Sequence, residues 1–147
     1  MLKTIPPIIG GELLAILDEM GHGDDLVLAD RNFPAVSTAA LTVSGKCVRL
    51  AGVGTLEAAT AILQLLPLDT FVAAPIRRMA SAEGLDIVLD VHADMQRAAD
   101  DAEGHAVTIE PVERFAFYEA ASEAYAVVQT MEDRPYGCFI LKKGVIF

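Results

Sequence analysis

Residues 19–35 read EMGHGDDLVLADRNFPA, and within them the run DLVLA at 25–29 is short, apolar and bounded by turn-forming residues. A run of this kind is typical of a strand that is covered on both faces. Similar runs alternate with segments of helical spacing through most of the chain. The sequence therefore predicts an α/β layered domain.

The other elements follow from periodicity and from glycine and proline positions. A helix is predicted from 11 to 20, with Gly21 as a stop that tolerates positive φ. The chain continues with a loop (30–40), a strand (47–50), a helix (54–66), an extended segment (71–80), an exposed polar helix (91–102), a brief strand at VTIE, a helix (114–124) and strands at 125–130 and 138–143. Pro75 is expected to place its extended segment at an edge or a bulge of the sheet. Pro111 is suited to the first turn of the helix that follows it. No repeat or linker interrupts the chain, which predicts one domain over residues 1–147.

Composition narrows the possible partners. The net charge of −10 disfavours nucleic acid and anionic lipid, and it favours a neutral polar substrate over an anionic one. Hydrophobic residues make up 53% of the chain, so we expect some apolar surface to be buried between subunits.

Signatures of metals and common cofactors are missing from the sequence. Cys47 and Cys138 lie in unrelated contexts without the spacing of zinc ligands, and no GxGxxG, GxxxxGK[ST], HExxH or GxSxG motif occurs. The first residues contain no long apolar segment of a signal peptide, and no apolar run reaches the roughly 20 residues of a membrane span. We therefore expect a reduced, cytoplasmic protein without metal or cofactor.

His22 and Asp30 are the first candidates for a site. His22 lies between two glycines after a predicted helix, where it could transfer protons or simply cap the helix. Asp30 closes the predicted strand, where it could bind a ligand or cap the following loop. Asp24 and Asp25 could orient the His22 ring. The other two histidines, His92 and His105, fall in polar segments, and we expect them to be exposed.

The strand between these two residues imposes a distance. Five extended residues at about 3.3 Å each would separate His22 from Asp30 by roughly 16 Å. One small molecule could contact both only if the loop around His22 folds back or if two subunits share the site.

Two further residues occupy unusual places. Arg114 begins a predicted helix, where the helix dipole disfavours a cation, so we expect it to have a partner such as Asp30 or a ligand hydroxyl, unless it is an ordinary surface residue. Tyr136 lies between a turn and a strand, where its hydroxyl could face a pocket. The aromatic residues Phe115, Phe117 and Tyr118 are expected in the core.

Three stretches together resemble the RbsD/FucU family of sugar mutarotases: the front of the chain with GHGD followed by D-x-N-F-P, ERFAFYEAASEAYAVVQT, and YGCFILKKGV. RFAFYE and YG-x-x-x-LKKGV are closer to its fucose mutarotase branch than to its ribose pyranase branch. The resemblance implies a three-layer α/β/α sandwich that interconverts the α and β anomers of a free sugar, without cofactor or metal. It also implies a ring-like homo-oligomer, an octamer or decamer, with sites near subunit contacts.

The resemblance also assigns roles to residues. His22 matches the family's proton donor, Asp30 and Arg114 match sugar-binding residues, and the segment Tyr136–Gly137–Cys138 matches the last sugar-contacting stretch. Tyr136 is expected to assist as a second proton donor or as a residue that positions the sugar. Cys138 replaces an asparagine that is usual in fucose mutarotases, and a thiol is the weaker hydrogen-bonding group. Two alternatives remain: a cytoplasmic sugar-binding accessory of an uptake system, and a ribose pyranase-like enzyme.

Overall fold

The computed structural model describes residues 2–147. Its strands are β1 (Asp25–Ala29), β2 (Cys47–Arg49), β3 (Ile76–Met79), β4 (Ile109–Val112), β5 (Ala126–Gln129) and β6 (Phe139–Lys142). Its helices are α1 (Gly11–Glu19), α2 (Ala35–Ala39), α3 (Thr55–Leu63), α4 (Asp90–Glu103) and α5 (Arg114–Ser122). The strands form one six-stranded sheet in the order β2-β5-β1-β6-β3-β4.

Strand β1 lies near the centre of the sheet, and the sheet is the middle one of three layers. Leu26 and Leu28 pack with α1, α3 and α4 on one face of the sheet, while Val27 and Ala29 pack with α2 and α5 on the other. Successive strand residues point to opposite faces, so an uninterrupted apolar run can contact both helical layers. The predicted strand at 25–29 and the α/β/α sandwich are both confirmed.

The direction of the strands decides which residues can meet. Strand β6 is antiparallel to β1 and to β3, and the remaining neighbouring pairs are parallel. The carboxyl ends of five strands therefore lie together, beside the start of β6; we call this side of the sheet the carboxyl edge. The side where these five strands begin and β6 ends is the amino edge. Neither name refers to the outermost strands β2 and β4, which we call edge strands. Asp30 follows β1 and Cys138 precedes β6, so both lie at the carboxyl edge.

Several predicted boundaries were wrong. Helix α1 ends before an extended Met20, and the nearby positive φ of 87° belongs to Gly23 instead of Gly21. The predicted loop 30–40 contains the short helix α2.

Two prolines also lie in places that differ from the prediction. Pro75 lies just before β3, which is an inner strand, so this segment is not an edge strand of the sheet. Pro111 lies within β4, where an edge strand tolerates the missing N–H. Helix α5 instead begins after Glu113, whose carboxylate accepts two backbone N–H bonds.

Helix α4 is more deeply packed than its polar sequence predicts. Val91, Met95 and Ala99 recur every four residues and form a buried stripe, and His92 is only 2% exposed. The expectation that His92 is exposed was therefore wrong, whereas His105 is exposed as predicted. Residues 2–147 include no helix whose length and hydropathy would let it cross a lipid bilayer.

Candidate active site

Asp30 is held firmly at the carboxyl edge. One oxygen, Oδ1, accepts the backbone N–H groups of Asn32 and Phe33, each at 2.9 Å. These bonds are the loop-capping arrangement that the sequence left open. They engage one carboxylate oxygen and fix the direction of the other, so a capping role does not exclude a contact with a ligand.

Cys138 lies beside Asp30 and is 1% exposed. Burial raises the pKa of the Cys138 thiol well above its ordinary value, and the neighbouring Asp30 carboxylate adds to the effect. The thiol is therefore protonated at neutral pH and lies within hydrogen-bonding reach of Asp30. Its side chain belongs to the apolar cluster between the sheet and α5.

Tyr136 and Gly137 form a tightly constrained approach to β6. Tyr136 has φ 61°, a left-handed conformation that costs a residue with a side chain roughly 1 to 2 kcal/mol. A β-carbon on Gly137 would lie 3.0 Å from Cγ of Glu132 and 3.2 Å from Cγ2 of Val91. Only glycine fits this close approach without displacing its neighbours.

A network of charges that the sequence did not indicate lies behind this segment. Arg134 donates from Nε and Nη2 to Glu132, both at 2.8 Å, and from Nη2 to Asp94 at 2.7 Å. Glu132 is 5% exposed and also accepts the backbone N–H of Thr55 at 3.2 Å. The hydrogen bonds from Arg134 lower the pKa of Glu132 to about 2, against the opposing effect of burial. The network fastens the turn before Tyr136 to α3 and α4.

Arg114 is the first residue of α5, two positions beyond the end of β4, and so lies at the same edge of the sheet. It is exposed, and its guanidinium lies 4.7 Å from the centroid of the Phe115 ring. Among the ion pairs within residues 2–147, none joins Arg114 to Asp30. Phe115 is 63% exposed, so its predicted place in the core was wrong, whereas Phe117 is fully buried.

His22 lies at the amino edge with a partner that the sequence did not indicate. Its Nε2 is 3.2 Å from Oδ1 of Asp69, which is 4% exposed and also accepts the Phe71 N–H at 2.9 Å. The Phe71 N–H and then the His22 ring hold the pKa of Asp69 below its ordinary value, against the opposing effect of burial. An ionised carboxylate only accepts hydrogen bonds, so Nε2 of His22 carries the hydrogen and donates this bond to Asp69. The other ring nitrogen, Nδ1, is not part of this bond.

Asp24 and Asp25 do not orient His22, so that expectation was wrong. Asp24 accepts the N–H of Gly21 at 2.7 Å, and Asp25 pairs with Arg77 at 2.6 Å and Lys142 at 2.9 Å. Asp69 is 47 residues away from His22 along the chain, and no local motif marks it.

Within one chain the candidate residues form two separate groups. Asp30, Tyr136, Gly137 and Cys138 lie together at the carboxyl edge, with Arg114 at the end of β4, whereas His22 lies at the amino edge. Strand β1 pairs in unbroken register with β5 and β6 between them. The loop around His22 does not fold back towards Asp30, because Gly23 bonds to the carbonyl of Lys143 at 2.8 Å, just beyond β6.

Comparison with known proteins gives one consistent result. The family model of the RbsD / FucU transport protein family matches residues 3–146. An L-fucose mutarotase of Actinobacillus pleuropneumoniae is 43% identical over 145 residues, which cover 99% of this chain and 97% of that protein. The crystal structure of the fucose mutarotase of Streptococcus pneumoniae in complex with L-fucose is 39% identical, has a TM-score of 0.85, and covers 99% of this chain and 100% of that one.

A more distant structure shares the fold. Bacillus subtilis RbsD complexed with D-ribose has a TM-score of 0.75 at 21% identity, with both chains fully covered. The family match spans nearly the whole sequence, and it includes every candidate residue on both edges of the sheet. This chain belongs to the RbsD/FucU family.

Proposed function

We propose that this protein is an L-fucose mutarotase, a cofactor-independent isomerase, and that two copies of the chain complete each active site. The first part is supported by the 43% identity to an L-fucose mutarotase over nearly the full length of both proteins. The separation of His22 from the carboxyl-edge residues by a regular β1 is the observation that carries the second part.

The reaction needs two proton transfers. Ring opening removes a proton from the anomeric hydroxyl and delivers one to the ring oxygen, and closure on the other face of the carbonyl reverses both steps. Histidine is suited to this work because imidazole gains and loses a proton near neutral pH. With Nε2 bonded to Asp69, Nδ1 of His22 first accepts the proton of the anomeric hydroxyl and then serves as the proton donor when the ring closes, while the carboxylate stabilises the imidazolium between these steps.

The carboxyl-edge residues then hold the sugar. The carboxylate oxygen of Asp30 that does not cap the loop accepts a hydrogen bond from one sugar hydroxyl. The exposed guanidinium of Arg114 donates a hydrogen bond to another hydroxyl. The phenol of Tyr136 is the second proton-transfer group: it gives its proton to the ring oxygen as the ring opens and takes it back as the ring closes. Gly137 and Cys138 shape the wall of the site beside Asp30.

Exposed phenylalanines support a subunit contact at both edges. Phe71 packs 5.3 Å from the His22 ring and is 66% exposed, and Phe115 lies under Arg114 and is 63% exposed. If the amino edge of one subunit contacts the carboxyl edge of the next, both rings are removed from water and His22 reaches the sugar. A head-to-tail contact of this kind forms a ring where the rotation between successive subunits closes, and the family resemblance favours a ring of eight or ten subunits.

The two cysteines support a cytoplasmic location for the protein. Cys47 and Cys138 are both free thiols, which are usual in proteins of a reducing compartment.

Anomeric-exchange NMR tests the proposed activity. The protein is expected to accelerate α/β exchange of L-fucose well above the rate in buffer alone, and to act more weakly on D-ribose. The same concentration of denatured protein serves as the control. Saturable sugar binding without faster exchange would instead identify a sugar-binding accessory, and acceleration of D-ribose exchange alone would identify a ribose pyranase-like enzyme.

A further inference from the structure

His92 faces the backbone of Tyr136 from within the core. It lies in the first turn of α4, is 2% exposed, and packs edge-on against Phe139 with ring centroids 6.0 Å apart. Its Nδ1 accepts the N–H of Leu89 at 3.1 Å. Its Nε2 lies 3.2 Å from the carbonyl oxygen of Tyr136.

These two contacts determine which nitrogen of His92 carries the proton. An N–H group cannot donate to a protonated nitrogen, so the bond from Leu89 leaves Nδ1 without hydrogen and places it on Nε2. Nε2–H then donates to the carbonyl of Tyr136. Burial lowers the pKa of His92, and the nearby charge of Arg78 lowers it further, so the ring remains neutral in this arrangement.

The carbonyl that receives this bond belongs to a strained residue. Tyr136 has φ 61°, and such a conformation persists only where the surroundings hold it. The ion pairs of Arg134 fasten the chain two residues earlier, and the close packing of Gly137 restricts it one residue later. His92 is the side chain that bonds to Tyr136 itself.

We propose that His92 is a positioning residue that fixes the Tyr136 peptide and thereby directs the phenol towards the sugar. The inference rests on the proposed function for the identity of the reaction. His92 does not touch the sugar and acts on the reaction through Tyr136. A histidine with a purely structural role would change the stability of the protein without changing the placement of the phenol.

Two conservative variants separate the two ends of the ring. In His92→Gln the side-chain amide reaches about as far as Nε2 and can still donate to the Tyr136 carbonyl. In His92→Asn the amide replaces Nδ1, which keeps a partner for Leu89 but does not reach Tyr136. His105→Asn makes the same change at an exposed histidine and is the control.

We expect His92→Asn to lower kcat for L-fucose exchange about 10- to 100-fold, because misplacing a reacting group by an ångström has an effect of this size. KM is expected to stay within about three-fold, since Asp30 and Arg114 still hold the sugar. His92→Gln should recover most of the lost kcat, and His105→Asn should match the wild type. Equal kcat values in all four proteins would overturn the proposal.

A second measurement does not depend on catalysis. The protein contains only three tyrosines, so 3-fluorotyrosine labelling gives three ¹⁹F resonances, and Tyr136→Phe identifies that of Tyr136. The Tyr136 resonance is expected to shift or broaden in His92→Asn and to return in His92→Gln. An unchanged resonance, accompanied only by a lower melting temperature, would show a purely structural role. If the wild type fails to accelerate exchange, the mutarotase assignment falls, and this resonance still decides the role of His92.

Discussion

His22→Ala is expected to lower kcat for L-fucose anomer exchange by about 10² to 10⁴, the usual contribution of a positioned acid–base group. The substitution removes the imidazole whose Nε2 lies 3.2 Å from Asp69, and with it the amino-edge group that exchanges protons with the sugar; the Asp69 carboxylate that remains is buried. Binding of L-fucose should persist with a modest loss of affinity, because the hydroxyl-binding residues Asp30 and Arg114 lie at the other edge.

Exchange NMR gives the rate, and calorimetric titration with L-fucose gives the affinity. His105→Ala is the matched control, because it deletes an exposed imidazole whose ring lies 3.0 Å from the carbonyl of the adjacent Ala106. A His22→Ala protein that retains exchange within about three-fold of the wild-type rate would remove His22 from the mechanism.

Glu132→Gln is expected to lower the free energy of unfolding by about 2 to 4 kcal/mol at neutral pH. The pKa of Glu132 falls from an ordinary value of 4.5 to about 2 in the folded protein, and each unit corresponds to about 1.4 kcal/mol. An amide of the same shape keeps the packing but loses the charge that binds Arg134.

The pH dependence of the Glu132 effect has a definite sign. A lowered folded-state pKa contributes stability that is fully present above pH 4.5 and is lost as the pH falls towards 2. Urea unfolding at fixed protein concentration should therefore show the wild type approaching Glu132→Gln over this range. Glu119→Gln, at an exposed position, is the control and should behave like the wild type. A constant difference between wild type and Glu132→Gln down to pH 2 would contradict the assigned pKa.

The sequence predicted those parts of the fold in which one segment carries its own pattern. DLVLA is apolar at every position but the first, so β1 was correct to the residue. Helix α4 was found, but its exposure was misjudged because its five buried residues are spread among many polar ones. Pro75 and Pro111 were misplaced because the position of a strand in a sheet depends on its neighbours, which periodicity does not reveal.

The candidate site was predictable only where residues are close along the chain. Asp30 and the segment from Tyr136 to Cys138 could be chosen from their places beside strands and from the family resemblance. Asp69 could not, because it reaches His22 across 47 residues and only through folding. The ion pair between Asp94 and Arg134 spans 40 residues and was missed for the same reason.

The central claim is that one sugar is held by two chains, and mixed oligomers test it most directly. His22→Ala lacks the amino-edge group, and Tyr136→Phe lacks the phenol at the carboxyl edge, so each protein alone should be nearly inactive. The two variants would carry different affinity tags, be refolded together in equal amounts, and be purified on both tags in succession. Random assembly then pairs an intact amino edge with an intact carboxyl edge at about one quarter of the contacts, and about one quarter of wild-type activity should return. Mixed oligomers no more active than their two parents would contradict a shared site.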